Sequence, residues 1–227
     1  MRNTNSLRDE IHMNHQKLSD QPFSQKCEYF WNYYKVHTIV IVILACMFGS
    51  ILHTIVTRKE IVLSIAYINA FPNIEDEVFI EDFENYLGLN RKKQQVLLDS
   101  TYYIDDKSTS PYAATYSQKF STNAMAGKFD VVLADATNFE FYGNQGFFQN
   151  LNNVLSPEML EKYANHLYYV NLPGDGSNQE IPIGIKIDTA RKICDTCSYP
   201  NTDAYFGFVA GSEYTDNALS YLNYLYN

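Results

Sequence analysis

A chain of 227 residues with a formal charge of -9 has room for one ordinary domain beside a tail and an anchor. The acidity excludes a nucleic-acid binder, which needs basic surface to displace counterions from phosphates. It also excludes a domain lying flat on anionic headgroups.

The charge is unevenly spread. Residues 1–35 carry Arg2, Arg8, Lys17, Lys26 and Lys35 against Asp9, Glu10, Asp20 and Glu28, so nearly all the acidity falls later. Residues 1–26 are polar and without apolar periodicity, and the composition predicts disorder there. Cys27 follows, read as an idle thiol or, in a eukaryote, a palmitoylation site. An aromatic cluster, Tyr29-Phe30-Trp31-Asn32-Tyr33-Tyr34, then closes on Lys35. Trp and Tyr favour the headgroup level of a bilayer, and Lys snorkels to it.

Residues 36–57 hold no acid, Lys or Arg and are apolar on every side. A buried core helix of that length carries a polar face. The stretch is therefore predicted to be a transmembrane helix, its length matching a hydrocarbon core about 30 Å thick. Five basic residues before it, against Arg58 and Lys59 after it, predict a cytoplasmic N-terminus in a cell membrane. A cleaved signal peptide fits poorly, because a long polar tail comes first and no A-x-A-like exit follows. Ile43-Leu44-Ala45-Cys46 looks like a lipidation site, yet more apolar residues follow Cys46.

Beyond Glu60 the pattern alternates between strands and helices. Ile61 to Asn69 is a near-continuous apolar run, as in a strand covered on both faces. Phe71-Pro72-Asn73 breaks it. Glu75 to Leu87 reads as a helix, with Phe79, Ile80, Phe83, Tyr86 and Leu87 on one stripe and Gly88 as its stop. Its acids, Glu75, Asp76, Glu77, Glu81, Asp82 and Glu84, read as a solvated face. Gln95 to Thr101 is a second strand, residues 102–111 a polar loop, and Tyr112 to Ala126 a second helix. Asp105-Asp106 in that loop is a weak cation candidate. Phe129 to Ala134 is a third strand. Thr137 with Glu140 has the spacing of a capping box. Ser156-Pro157 opens a short helix, Asn171 to Gln179 is a loop, Ile181–Ile187 and Ala204–Ala210 are strands, and Thr215 caps a last helix.

This order predicts an α/β domain over residues 61–227, with a mostly parallel sheet and helices on both faces. Ligands of such sheets lie beyond the strand C-termini. That rule selects Asn69, Ala70 and Phe71; Thr101, Tyr102 and Tyr103; and Asp135, Ala136 and Thr137. A rim of Phe71, Tyr102 and Tyr103 around Asp135 is the predicted site for a small polar or sugar-like ligand. Asp135 also suits the N-terminus of the following helix, where negative charge is favoured.

Phe129-Asp130-Val131-Val132-Leu133-Ala134-Asp135 and the run to Leu151 resemble the third strand and following helix of extracellular solute-binding proteins. Tyr116 to Gly127 is similar to the helix before that strand. Tyr205-Phe206-Gly207-Phe208-Val209-Ala210-Gly211-Ser212, with Thr215 to Tyr226, is similar to their returning strand and closing helix. The resemblance implies a non-catalytic, solute-binding fold of the periplasmic type II kind, whose two lobes close on a ligand that feeds an ABC transporter. Between Ile187 and Ala204 this chain has room for a loop or one short helix only. The expected form is therefore one lobe on an uncleaved membrane anchor, binding a small solute or a protein partner with no cofactor. The alternative is a structural subunit of an envelope assembly, with Tyr residues around 221–226 exposed as its interface.

Cys194-Asp195-Thr196-Cys197 admits a structural disulfide, two free thiols, a redox pair or half a zinc site. No second C-x-x-C occurs and no His follows His166, so the pair is read first as a disulfide candidate. No G-x-S-x-G or H-E-x-x-H is present, and an enzyme is not expected.

Overall fold

The computed structural model describes residues 22–71, 76–105, 107, 108, 110–171 and 180–227. The tail before Pro22, the Pro72–Asn73 break with Glu75, Asp106 and the loop residues 172–179 lie outside them. The chain divides into two compact units, Met1–Arg58 and Lys59–Asn227.

In the first unit, helix α1 runs from Phe23 to Thr57. Its segment Tyr34–Thr57 is 24 residues long and apolar enough to cross a membrane. Phe23–Lys26 belong to α1, which corrects the predicted disorder for those four residues.

The second unit is α/β. Its elements are β1 (Glu60–Ile68), α2 (Asp76–Tyr86), β2 (Gln94–Tyr102), α3 (Pro111–Met125), β3 (Val131–Asp135), α4 (Ala136–Gly143), α5 (Pro157–Lys162), β4 (Leu167–Val170), β5 (Ile181–Lys186), α6 (Arg191–Thr196), β6 (Ala204–Phe208) and α7 (Thr215–Tyr226). The strands form one sheet in the order β2-β1-β3-β6-β5-β4. β1 pairs in parallel with β2 and β3, while β3–β6, β6–β5 and β5–β4 are antiparallel. The expected mostly parallel sheet is thus corrected to a mixed one. A strand buried on both faces shows the same apolar run in either direction, and β6 is buried along most of its length. Within the β1–β2 ladder the register slips twice, between Ile61 and Leu63 and between Ala66 and Ile68.

Alternation along the strands builds a core on each face. On one face Ile65, Val131, Leu133, Phe206 and Phe208 meet Phe79 and Phe83 of α2 and Tyr221, Leu222 and Leu225 of α7. On the other, Ala66, Ile68, Val132 and Ala134 meet Phe120 of α3 and Phe139 and Tyr142 of α4. Phe139 stacks on Phe148 with ring centroids 4.3 Å apart. That pair lies against the bare backbones of Gly184 and Gly207.

Tyr221 and Tyr224 are buried, and the Tyr221 hydroxyl shares a hydrogen bond with that of Tyr67. The expected Tyr interface at 221–226 is therefore corrected: two of its rings are core. Glu84 is also buried rather than solvated. Its carboxylate accepts from the Val96 N–H at 2.9 Å and from Arg91 at 3.0 Å, tying α2 to β2. Thr215 is the first residue of α7 rather than its cap.

The tyrosine core carries a pH signature. Burial pushes the Tyr221 and Tyr199 phenols well above the usual 10.0, and those of Tyr102, Tyr224 and Tyr226 to about 12. The folded state thus holds phenolic protons that the unfolded chain releases near pH 10. Stability from these groups is fully present below about pH 10 and is lost as pH climbs above it toward the folded values. The melting temperature is expected to fall steadily above about pH 10, with tyrosinate absorbance of these residues appearing only as the domain unfolds. Complete ionisation of every tyrosine near pH 10 in a still-folded domain would contradict this.

Candidate functional site

Topology brings one end of the sheet together. The parallel strands β1, β2 and β3 end on a common edge. β6 starts there, Asp135 lying opposite Ala204, and β5 ends there, Lys186 lying opposite Tyr205. The three non-glycine residues with positive φ among the described residues all belong to segments at this edge: Asn69 (57°), Cys197 (49°) and Asn201 (57°).

Asp135 is the centre of a polar knot. It is 8% exposed, and it caps α4 by accepting from the N–H groups of Thr137 and Asn138, each at 3.1 Å. Its other oxygen accepts from the side-chain amides of Asn69 and Asn138, each at 2.8 Å. Asn69 in turn donates to the Ile104 carbonyl at 2.8 Å and accepts from the Ile104 N–H at 2.7 Å. The cap of α4 is thus Asp135, and the Thr137–Glu140 capping box does not form, because the helix starts at Ala136. Thr137 contributes its N–H.

The other predicted residues separate. Tyr102 is 1% exposed and turned into the core against Phe120 and Phe129, with Asn123 donating to its hydroxyl at 3.0 Å. Tyr103 and Phe71 face outward, 49% and 51% exposed. Thr101 is exposed and bonded to Asp99 and Lys119. The rim thus brings Asn69 and Asp135 together in the knot, but Tyr102 is not part of an open face.

Beside the knot lies a feature the sequence reading missed. α6 and the turn 197–203 fold over the edge and leave a cavity of about 340 Å³. Ile187, Ile193, Tyr199, Pro200 and Ala204 supply its apolar wall, and Asp188, Asn201, Thr202, Asp203, Cys194 and Cys197 its polar one. The cover is stitched to the sheet. Ser198 accepts from the Phe71 N–H at 2.6 Å, Asp203 from the Ala136 N–H at 2.9 Å, and the Tyr199 hydroxyl donates to the Leu133 carbonyl at 3.0 Å. At the rim, Lys186 bridges Asp203 (2.9 Å) and Asp188 (3.4 Å), and His166 lies 3.4 Å from Asp188. The Lys186 ammonium is held charged to higher pH than usual, chiefly by its hydrogen bond to Asp203.

Cys194 and Cys197 are free thiols in this structure. Asp105 closes a local turn by accepting from the Lys107 N–H at 2.9 Å. No group of three or more His, Cys, Asp or Glu side chains able to hold a metal occurs among the described residues. The fold and site define an α/β protein with a mixed six-stranded sheet and a small half-polar cavity at one sheet edge. Comparisons with family models, curated proteins and solved structures gave no match to this chain.

Proposed function

We propose that this chain is a membrane-anchored, non-catalytic binding module. In this reading α1 spans the cell membrane with its N-terminus in the cytoplasm. The α/β domain stands outside as a one-lobe relative of the extracellular solute-binding proteins. It takes a small polar solute, or a short polar segment of a protein partner, at the covered sheet edge.

The observation that carries the reading is the cavity itself. It lies where the strand ends of an open sheet converge, the usual place for a ligand in such folds. Its volume is near the lower end of the roughly 300–1,000 Å³ typical of small-molecule sites. Six-residue α6 and its turn stand in the stretch where a two-lobed relative would carry its second lobe. A short cover instead of a lobe leaves room for a small ligand. The scaffold alternative has less support, since two of its three tyrosines, Tyr221 and Tyr224, are inside the core.

The test is a thermal-shift screen of residues 59–227 against sugars, amino acids, short peptides and divalent ions. A true ligand at about a hundredfold its dissociation constant should raise the melting temperature by about 5 to 10 °C. Asn201→Gly should abolish the shift without lowering the unliganded melting temperature, because it removes a lining side chain at a left-handed position that glycine tolerates. Silence across the screen from a folded domain would overturn solute binding and leave a protein partner as the occupant to seek.

A further inference from the structure

The two cysteines on the cavity wall sit at the two ends of one closed turn. Cys194 is in the last turn of α6, and Cys197 is the residue that ends it, with φ 49°. The turn is closed by the Cys197 N–H on the Cys194 carbonyl (3.1 Å) and the Ser198 N–H on the Ile193 carbonyl (3.3 Å). A left-handed residue at this point in a helix end is usually glycine, because a Cβ crowds the neighbouring carbonyl. A cysteine here carries a backbone penalty that a glycine would not.

A closed turn keeps the first and fourth Cα atoms within about 7 Å, and disulfides span about 4.4 to 6.8 Å between Cα atoms. Both thiols are exposed and both line the cavity. The Cys194 thiol donates to the Asp188 carbonyl at 3.2 Å, linking α6 to the end of β5, and the Cys197 thiol to the Cys194 carbonyl at 3.5 Å. A bridge across so short a segment removes little loop entropy, so a purely stabilising staple would gain little here. What oxidation does change is the wall. It takes the Cys194 S–H from the Asp188 carbonyl and so removes one tie between α6 and the segment that follows β5.

We propose that Cys194 and Cys197 form a reversible dithiol–disulfide exchange site that sets the mobility of the cavity cover. The oxidant is a small-molecule disulfide. One cysteine thiolate attacks it and displaces a first thiol; the second cysteine sulfur attacks the mixed disulfide and displaces another. A Cys194–Cys197 bond forms and the small disulfide bond breaks. Two electrons pass from the pair to the oxidant, and the two cysteine protons end on the two released thiols.

The experiment uses the full chain in detergent with Cys27→Ser and Cys46→Ser, equilibrated in mixtures of reduced and oxidised glutathione. Remaining thiols are trapped by alkylation and the chain is read by mass spectrometry. Both thiols should vanish together with the loss of two hydrogens, and excess reduced glutathione should restore both. Amide exchange around 187–190 and 201–204 should be several-fold faster in the oxidised chain. Cys197→Gly relieves the left-handed strain and so keeps the fold; it should stop at a glutathione adduct on Cys194. Stable glutathione adducts on both cysteines of the parent chain, or identical amide exchange in the two states, would overturn the proposal. The result is separable from the ligand screen, which is run with excess reductant and reads the cavity with both thiols intact.

Discussion

Replacing Asp135 by Ala is expected to destabilise the α/β domain by about 4 kcal/mol, read as a shift of the urea midpoint of residues 59–227. Two contributions combine. The cap of α4 is lost, leaving the Thr137 and Asn138 N–H groups without their acceptor. The side-chain amides of partly buried Asn69 and buried Asn138 lose the oxygen between them. Asp135→Asn is the sharper test. Its amide oxygen still serves the backbone donors, but its NH₂ then faces the NH₂ groups of Asn69 and Asn138. The cost should stay above about 2 kcal/mol, since buried donors facing donors lose the hydrogen bond and keep the desolvation. A cost below about 1 kcal/mol for Asp135→Asn would show that the knot contributes little.

The second large effect is expected at Gly184. A Cβ there falls onto the ring of Phe139, which is fully buried and pinned against Phe148. Interiors are close-packed, and an added methyl with no room forces side chains off their rotamers. Gly184→Ala should cost about 3 kcal/mol in the same urea experiment. Phe139→Leu alone should also destabilise, by leaving a gap. Combined, the two should cost at least about 1 kcal/mol less than their sum, because each relieves the other. Strict additivity would mean that Phe139 is not what excludes a side chain at residue 184.

Most elements could be read from the chain because they carry local signals. β1 and β3 are long apolar runs, α5 has Ser156 and Pro157 at its start, and α2 shows its stripe. Strand direction could not be read, because it depends on what a strand pairs with and not on its own residues. β4 was missed for a different reason: it is four residues long, and the tyrosines that make it a strand also fit a loop. At the site, the strand-end rule selected the edge where Asn69 and Asp135 meet in the knot, a juxtaposition the structure shows. It could not decide between Tyr102 and Tyr103, since one step along a strand turns a side chain from core to solvent. The cavity escaped notice because its cover, residues 187–204, has no periodicity. Its shape comes from two backbone bonds to Phe71 and Ala136 and from the Tyr199 hydroxyl on the Leu133 carbonyl, all distant in sequence.

The two slips in the β1–β2 ladder bear on how copies of this domain avoid one another. β2 is the last strand on its side of the sheet, nine residues long, and such an edge offers unpaired backbone groups to any neighbouring chain. The surplus residue on β2, at the second slip, breaks the even spacing that an added strand would have to match. Lys119 paired with Asp99 sets charges beside the same strand. Such an edge is a poorer template for edge-to-edge pairing than an evenly spaced, uncharged one.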